Sequence, residues 1–149
     1  MKMFTIEQAN ATLPLVRAIV TDLVRLSREV TDRRQRVSLL LSGRQRNEND
    51  PYWQELAAIE VSLEDDASRL REYVDELRQL GIEPKSTVDG VVDFPAKLDG
   101  RDVYLCWKLG EPEVLHWHEV NGGFQGRHPL TAEAGTASDP FSSGDSAGF

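Results

Sequence analysis

The chain has 149 residues, 40% of them hydrophobic and 28% charged, with a formal net charge of −8. That length and mixture suit one soluble globular domain, and the acidic balance argues against a nucleic-acid partner. No apolar run approaches the roughly 18 residues of a membrane helix, and the start, "MKMFTIEQAN", has no apolar signal-peptide core. The single cysteine, Cys106, cannot close an internal disulfide, so a reducing cytoplasm is the expected location.

Taken in chain order, Thr5 followed by Gln8 reads as a capping box, with Phe4 the apolar residue before it. A short helix over Ile6–Ala11 is expected to end ahead of Pro14, because proline cannot sit deep inside a helix. Thr12 as a cap, with Pro14 in the first turn, then starts a second and longer helix.

From there Val16, Val20, Leu23, Ser27, Val30, Arg34, Val37 and Leu41 alternate in steps of four and three. After "SGRQRNENDP", Asp50 caps a new helix with Pro51 at its first position. Tyr52, Leu56, Ile59, Leu63, Asp66, Leu70, Tyr73, Leu77 and Leu80 repeat the alternation until Gly81 stops it. These are heptad seams, and they fit each other. Folded back near residue 46, the chain places Leu41 against Tyr52, Val37 against Leu56, Val30 against Leu63, Leu23 against Leu70, Val20 against Tyr73 and Val16 against Leu77. One register satisfies every pair, and at ~1.5 Å per residue the arm is roughly 45 Å long. The same register sets the two polar seam residues, Ser27 and Asp66, opposite each other as a register-setting pair or as a small ligand site between the helices. Charge divides along the hairpin. Arg25, Arg28, Arg33, Arg34 and Arg36, with Arg44 and Arg46 at the tip, face Glu55, Glu60, Glu64, Asp65, Glu72, Asp75 and Glu76. With an acidic helix alongside, the arginine run is no nucleic-acid patch.

After residue 82 the period changes to two. Val92, Phe94 and Ala96 form one face of a strand, Asp99-Gly100 supplies a hairpin turn, and Val103, Leu105, Trp107 and Leu109 continue the pattern. "GEPE" turns the chain again into a third strand carrying Leu115 and Trp117. Phe94, Leu105, Trp107, Leu115 and Trp117 form an apolar face that packs on the helices. "NGGFQGRHPL" is a Gly-rich exit loop, and residues 131–149 are small, polar and expected to be disordered. The expected fold is therefore α+β: a long antiparallel, coiled-coil-like helical hairpin over 12–81 packed on a three-stranded antiparallel β-meander over 90–120, in one domain ending at residue 130.

The second sheet face carries the chemistry. The Asp99-Gly100 turn pairs Asp93 with Cys106, and a three-residue Gly110–Pro112 turn puts Cys106 opposite His116 and Tyr104 opposite His118. Neighbouring strands lie ~4.8 Å apart and same-face residues about 7 Å apart. Two histidines at i and i+2 can share an ion, so Asp93, Cys106, His116 and His118 are a candidate set for a divalent transition metal such as zinc. His128 is a further candidate whose loop cannot be placed. The bland alternative is a row of solvated or hydrogen-bonded imidazoles. Cys106 reads as a buried thiol, with nothing arranged as a triad and no phosphate-cradling loop.

"FTIEQANATLP", "VDFPA", "VYLCWKLGEPEV", "WHEV" and "GFQGRHPL", in that order over about residues 3–130, resemble an uncharacterised bacterial family, number 2203 among the domains of unknown function. The resemblance implies a small bacterial cytoplasmic protein with no established activity, substrate or cofactor, and it transfers no catalytic residue. In the family pattern the position of His116 is often aromatic, His118 matches the "WH" motif, and other basic residues are common at His128. That shifts weight to a second cluster: Trp107, Glu111, Trp117, His118, Phe124, Gly126 and Arg127. Glu111 sits at a turn and Arg127 follows glycines that allow tight backbone paths. The pair either tethers the exit loop to the sheet or offers Arg127 to a small anionic ligand.

Two functions compete at this point. One is a non-enzymatic interaction or scaffold protein that self-associates or binds a protein partner through its hairpin. Leu15, Ile19, Leu26, Leu39 and Leu40 lie off the seam, and those near the tip have no sheet to cover them. The other is a metal- or small-ligand-binding protein, or an enzyme of unknown reaction, that uses the His/Cys/Asp face.

Overall fold

In a computed structural model, which describes residues 2–45, 47 and 49–130, two helices pack against a five-stranded antiparallel sheet, an α+β arrangement. Arg46 at the expected tip and the expected disordered tail from Thr131 lie outside the described residues. Helix α1 runs Ile6–Leu41 and α2 Pro51–Gln79. Strands β1 Glu83–Ser86, β2 Val91–Leu98, β3 Arg101–Lys108, β4 His116–Glu119 and β5 His128–Pro129 lie in the sheet in chain order. Among the described residues, no helix is long and apolar enough to cross a membrane.

The helix caps are those the sequence announces. Thr5 Oγ1 accepts the Gln8 N–H and the Gln8 side chain accepts the Thr5 N–H, each at 3.0 Å. The Asp50 side chain accepts the Tyr52 N–H, with Pro51 in the first turn. Gly81, at φ 87°, ends α2 and lets the Ile82 N–H reach back to the Leu77 carbonyl.

The expected break before Pro14 is absent: α1 is one helix and Pro14 lies inside it. Interior proline costs ~3 kcal/mol or more. Here it sits on the exposed side, while Ala9, Leu13, Val16 and Val20 form an unbroken buried stripe behind it. Ending the helix at Pro14 would break that stripe against the sheet, and burying each Leu or Val contributes ~1.5–3 kcal/mol.

That stripe, with Leu23 and Val24, joins Leu77 of α2 and Phe94, Leu105, Trp107 and Trp117 of the sheet in the main core. A smaller cluster continues outward, where Leu26, Val30 and Leu63 meet with Ile59, Leu70 and Tyr73 against them. Farther out, the Tyr52 hydroxyl donates to the Leu40 carbonyl (3.3 Å). The helices therefore run antiparallel against each other. The polar seam pair does not form. Asp66 is bound by the Arg33 guanidinium, and Ser27 shares a hydrogen bond with Thr87 at 2.9 Å. A charge-assisted bond to Asp66 is stronger than a hydroxyl could make, and the turn before β2 reaches Ser27 from the sheet side.

The sheet has five strands where three were expected. β1 pairs with β2 and β5 with β4. β1 reads "EPKS", with neither alternation nor β-branched residues, and its proline is tolerated because it forms an edge. β5 has two residues, too few for any period. The inner registers are those derived from turn parity: Asp93 opposite Cys106, Cys106 opposite His116, Tyr104 opposite His118. Leu115 departs from the apolar face and is 38% exposed, while Val114 is buried. The Asn10 side chain accepts the Val114 N–H at 2.7 Å, which pins this segment to α1 before β4 begins and turns Val114 inward.

Candidate metal centre

β2, β3 and β4 each contribute one side chain to the face turned away from α1: Asp93, Cys106 and His118. That face is not wet. All three residues are buried, and their potential ligand atoms lie within 4.8 Å of one another. The exit loop accounts for this. A Cβ at Gly122 would lie 3.3 to 3.5 Å from Glu119 and His118, and Arg127 stacks 4.1 Å from the Phe124 ring centre across a 3-10 turn at Phe124–Gly126. On the other side, the Lys85 ammonium lies 5.6 Å from the Tyr104 ring centre, and that ring is 5.5 Å from His118.

His118 is held at both nitrogens. Nδ1 is 2.7 Å from the Glu119 carbonyl oxygen. A carbonyl can only accept, so Nδ1 carries a proton and donates it. Nε2 lies 2.9 Å from Asp93 Oδ2. Neither a carboxylate nor an unprotonated ring nitrogen can donate, so a proton sits between them. The other carboxylate oxygen, Oδ1, is buried and accepts from no N–H or O–H, and the donor beside the carboxylate is the weak Cys106 thiol. Burial pushes the Asp93 carboxyl above its ordinary value, and His118, Cys106 and Lys85 only partly offset this. Burial, then the charge of Asp93, pushes the Cys106 thiol up to about 12, against a lowering influence from Arg127. At neutral pH such a thiol carries roughly a thousandfold less thiolate than one at its ordinary 9.0. With neither nitrogen of His118 free to take its proton, Cys106 is not built as a nucleophile.

His116, expected beside Cys106 in the same ligand set, turns elsewhere. Strand register sets it opposite Cys106, yet His118 reaches Asp93 along the diagonal, two residues on. The strands of Asp93 and His118 are separated by β3, so the His118 ring reaches across that strand to the carboxylate. His116 Nδ1 is 3.7 Å from Glu111 Oε2, too far for a hydrogen bond, and is buried unpartnered. Burial, and then the Arg127 charge, lower its pKa while Glu111 opposes them. His128 lies against Trp117, with ring centres 4.7 Å apart, on the other side of the sheet from the trio.

The second cluster divides between the two faces. Trp107 and Trp117 are buried in the helix-facing core, and the Trp107 indole donates to the Glu111 carbonyl at 3.0 Å. Glu111 and Arg127 do meet, at 2.9 and 3.1 Å, and Glu111 Oε1 also accepts the Lys108 N–H. This pair ties the exit loop to the turn after β3. Lys85, the Glu119 carbonyl and the covering position of Gly122 had no sequence signal. One lies on an unpatterned strand, one is backbone, and the third depends on how a loop folds.

No curated protein and no solved structure matches the chain. Residues 2–130 match the model of a family described as an uncharacterised conserved protein, DUF2203, the same residues over which the helices, the sheet and the buried trio are built. The chain belongs to the DUF2203 family.

Proposed function

We propose that this protein binds one divalent transition-metal ion of the zinc class through Asp93, Cys106 and His118, as a binding protein and not as a thiol enzyme. The observation that carries this reading is the state of the trio: three buried donor residues converge, with one carboxylate oxygen accepting from no N–H or O–H. A histidine that ligates a metal through one nitrogen typically donates the other N–H to a carbonyl or carboxylate. His118 is anchored in that way, and Nε2 faces the other two donors. A carboxylate and a thiolate together balance a dication, so metal uptake displaces the thiol proton of Cys106 and the proton lying between Asp93 and His118. Nitrogen, oxygen and sulfur donors in one set favour zinc over magnesium or calcium.

Protein purified without a histidine tag and titrated with Co²⁺ should take up one equivalent. A thiolate-to-cobalt charge-transfer band should appear, and Cys106→Ser should abolish it. Absence of the band, with melting unchanged by Zn²⁺, overturns the reading.

A second reading, a scaffold protein acting through its helices, is favoured by a separate observation. Leu39, Leu40 and Val61 are 70%, 42% and 60% exposed. The single cysteine suits a reducing cytoplasm under either reading.

A further inference from the structure

The outer half of the hairpin lacks a third layer. In α1 the last buried residue is Val30, and the remaining eleven positions to Leu41 are exposed or half-buried. On the facing stretch of α2, before Leu63, only Trp53 and Leu56 are buried. Two helices alone can shelter only the strip between them. Val37, Leu41 and Ile59 are accordingly half-buried, and Leu39, Leu40 and Val61 face water. A cleft of about 150 Å³ opens on one side of this strip, lined by Arg33, Arg36, Val37, Leu40, Ile59 and Ser62.

We infer that this arm pairs with the arm of a second copy of the chain, side by side with the tips pointing the same way, to complete a four-helix bundle. The inference gives the scaffold reading a partner and is independent of the metal. Charge chooses the occupant. On α1 the arm carries Arg33, Arg34 and Arg36 against one acid, Asp32, with Arg44 just beyond its end, and on α2 it carries Glu55 and Glu60 and no basic residue. A two-fold axis running along the bundle, with both tips pointing the same way, lays the basic helix of each copy beside the acidic helix of the other, whereas the antiparallel pairing sets like charges together. A two-fold contact uses the same patch on both copies and closes on itself, so it yields a dimer and not a fibre. The apolar strips of two arms then supply the bundle core that one arm lacks. An arm this short buries an area near the low end of specific interfaces, so the affinity is of micromolar order.

The test is sedimentation of the full chain over a concentration series spanning about 1 to 200 μM, which brackets that affinity. The weight-average mass should rise from one chain toward two. The double variant Leu39→Glu/Leu40→Glu, altered only at exposed positions, should keep the helicity of the parent by circular dichroism and stay at one chain. A parent that is monomeric throughout overturns the inference, and so does a dimer that the double variant leaves intact. Neither result touches metal binding, which the cobalt titration reads separately.

Discussion

Asp93 occupies a position where burial and chemistry conflict. Its carboxyl is held above the ordinary 3.8 because burial penalises the charge. The folded state therefore keeps a proton that the unfolded chain gives up. The stabilisation this supplies is fully present below pH 3.8 and is lost as pH rises through the higher folded-state value. Asn has the same shape and no proton to lose, and its amide can donate to His118 Nε2. Asp93→Asn should thus melt at or above the parent temperature at neutral pH, with a shallower loss of stability as pH rises above about 4. It should also fail to gain from zinc, where the parent gains about 2.7 kcal/mol at hundredfold excess over Kd. Thermal melts with and without Zn²⁺ at two pH values measure both effects. A variant that still responds to zinc would remove Asp93 from the site. The Asp93–Cys106 pairing could be read from sequence, because Asp99-Gly100 fixes a two-residue turn and everything upstream follows by counting. The choice of His118 over His116 could not, since counting gives register and not the diagonal reach of a side chain across a twisted, covered sheet.

At the scale of elements, caps and turns were readable and short edge strands were not. Thr5 with Gln8, Asp50 with Pro51, and Gly81 act through local chemistry, so they hold in the fold as they read in the sequence. Pro14 also acts locally, but its penalty is outweighed by contacts up to about 100 residues away in the chain, which a local rule cannot see. β1 is held by backbone pairing to β2, by the Arg78–Glu83 ion pair at 3.1 Å and by Lys85 over the Tyr104 ring, and what fixes its entry into β2 is the turn ending at Gly90. There φ is 75°, the N–H reaches the Ser86 carbonyl and the carbonyl accepts the Leu109 N–H. A Cβ at Gly90 would stand 2.8 Å from Leu109 Cβ and 3.0 Å from a methyl of Val24. Gly90→Ala therefore combines a disfavoured backbone with overpacking against α1 and should cost about 2–3 kcal/mol. Urea unfolding should show this as a lower midpoint at unchanged slope. A loss under about 0.5 kcal/mol, the range of a neutral surface change, would mean that this turn is not pressed against the helix.

Across the whole molecule, the two ends of the hairpin sit in different environments, and their stabilities should differ accordingly. Near the sheet, Val16, Val20, Leu23 and Leu77 are buried in the main core, and their amides can exchange only by opening it. Toward the tip, Val37, Leu41 and Ile59 have one neighbouring helix and water. Regions with few buried apolar contacts open locally at a fraction of the global free energy. In dilute solution, amides of residues 34–41 and 53–59 should exchange at least about tenfold faster than those of 16–23, a gap of about 1.4 kcal/mol. Two additions then act on different ends. Zinc bound at the proposed site would stabilise only the folded sheet, so it should slow the core amides and leave the tip unchanged, because the tip opens without disturbing Asp93, Cys106 or His118. Raising the protein concentration should slow the tip amides, because an arm paired with a second arm must separate before it frays. Uniform protection along α1 in dilute solution would contradict both expectations at once. It would mean that the hairpin opens as one unit with the core, and that its outer half needs no further partner to be held.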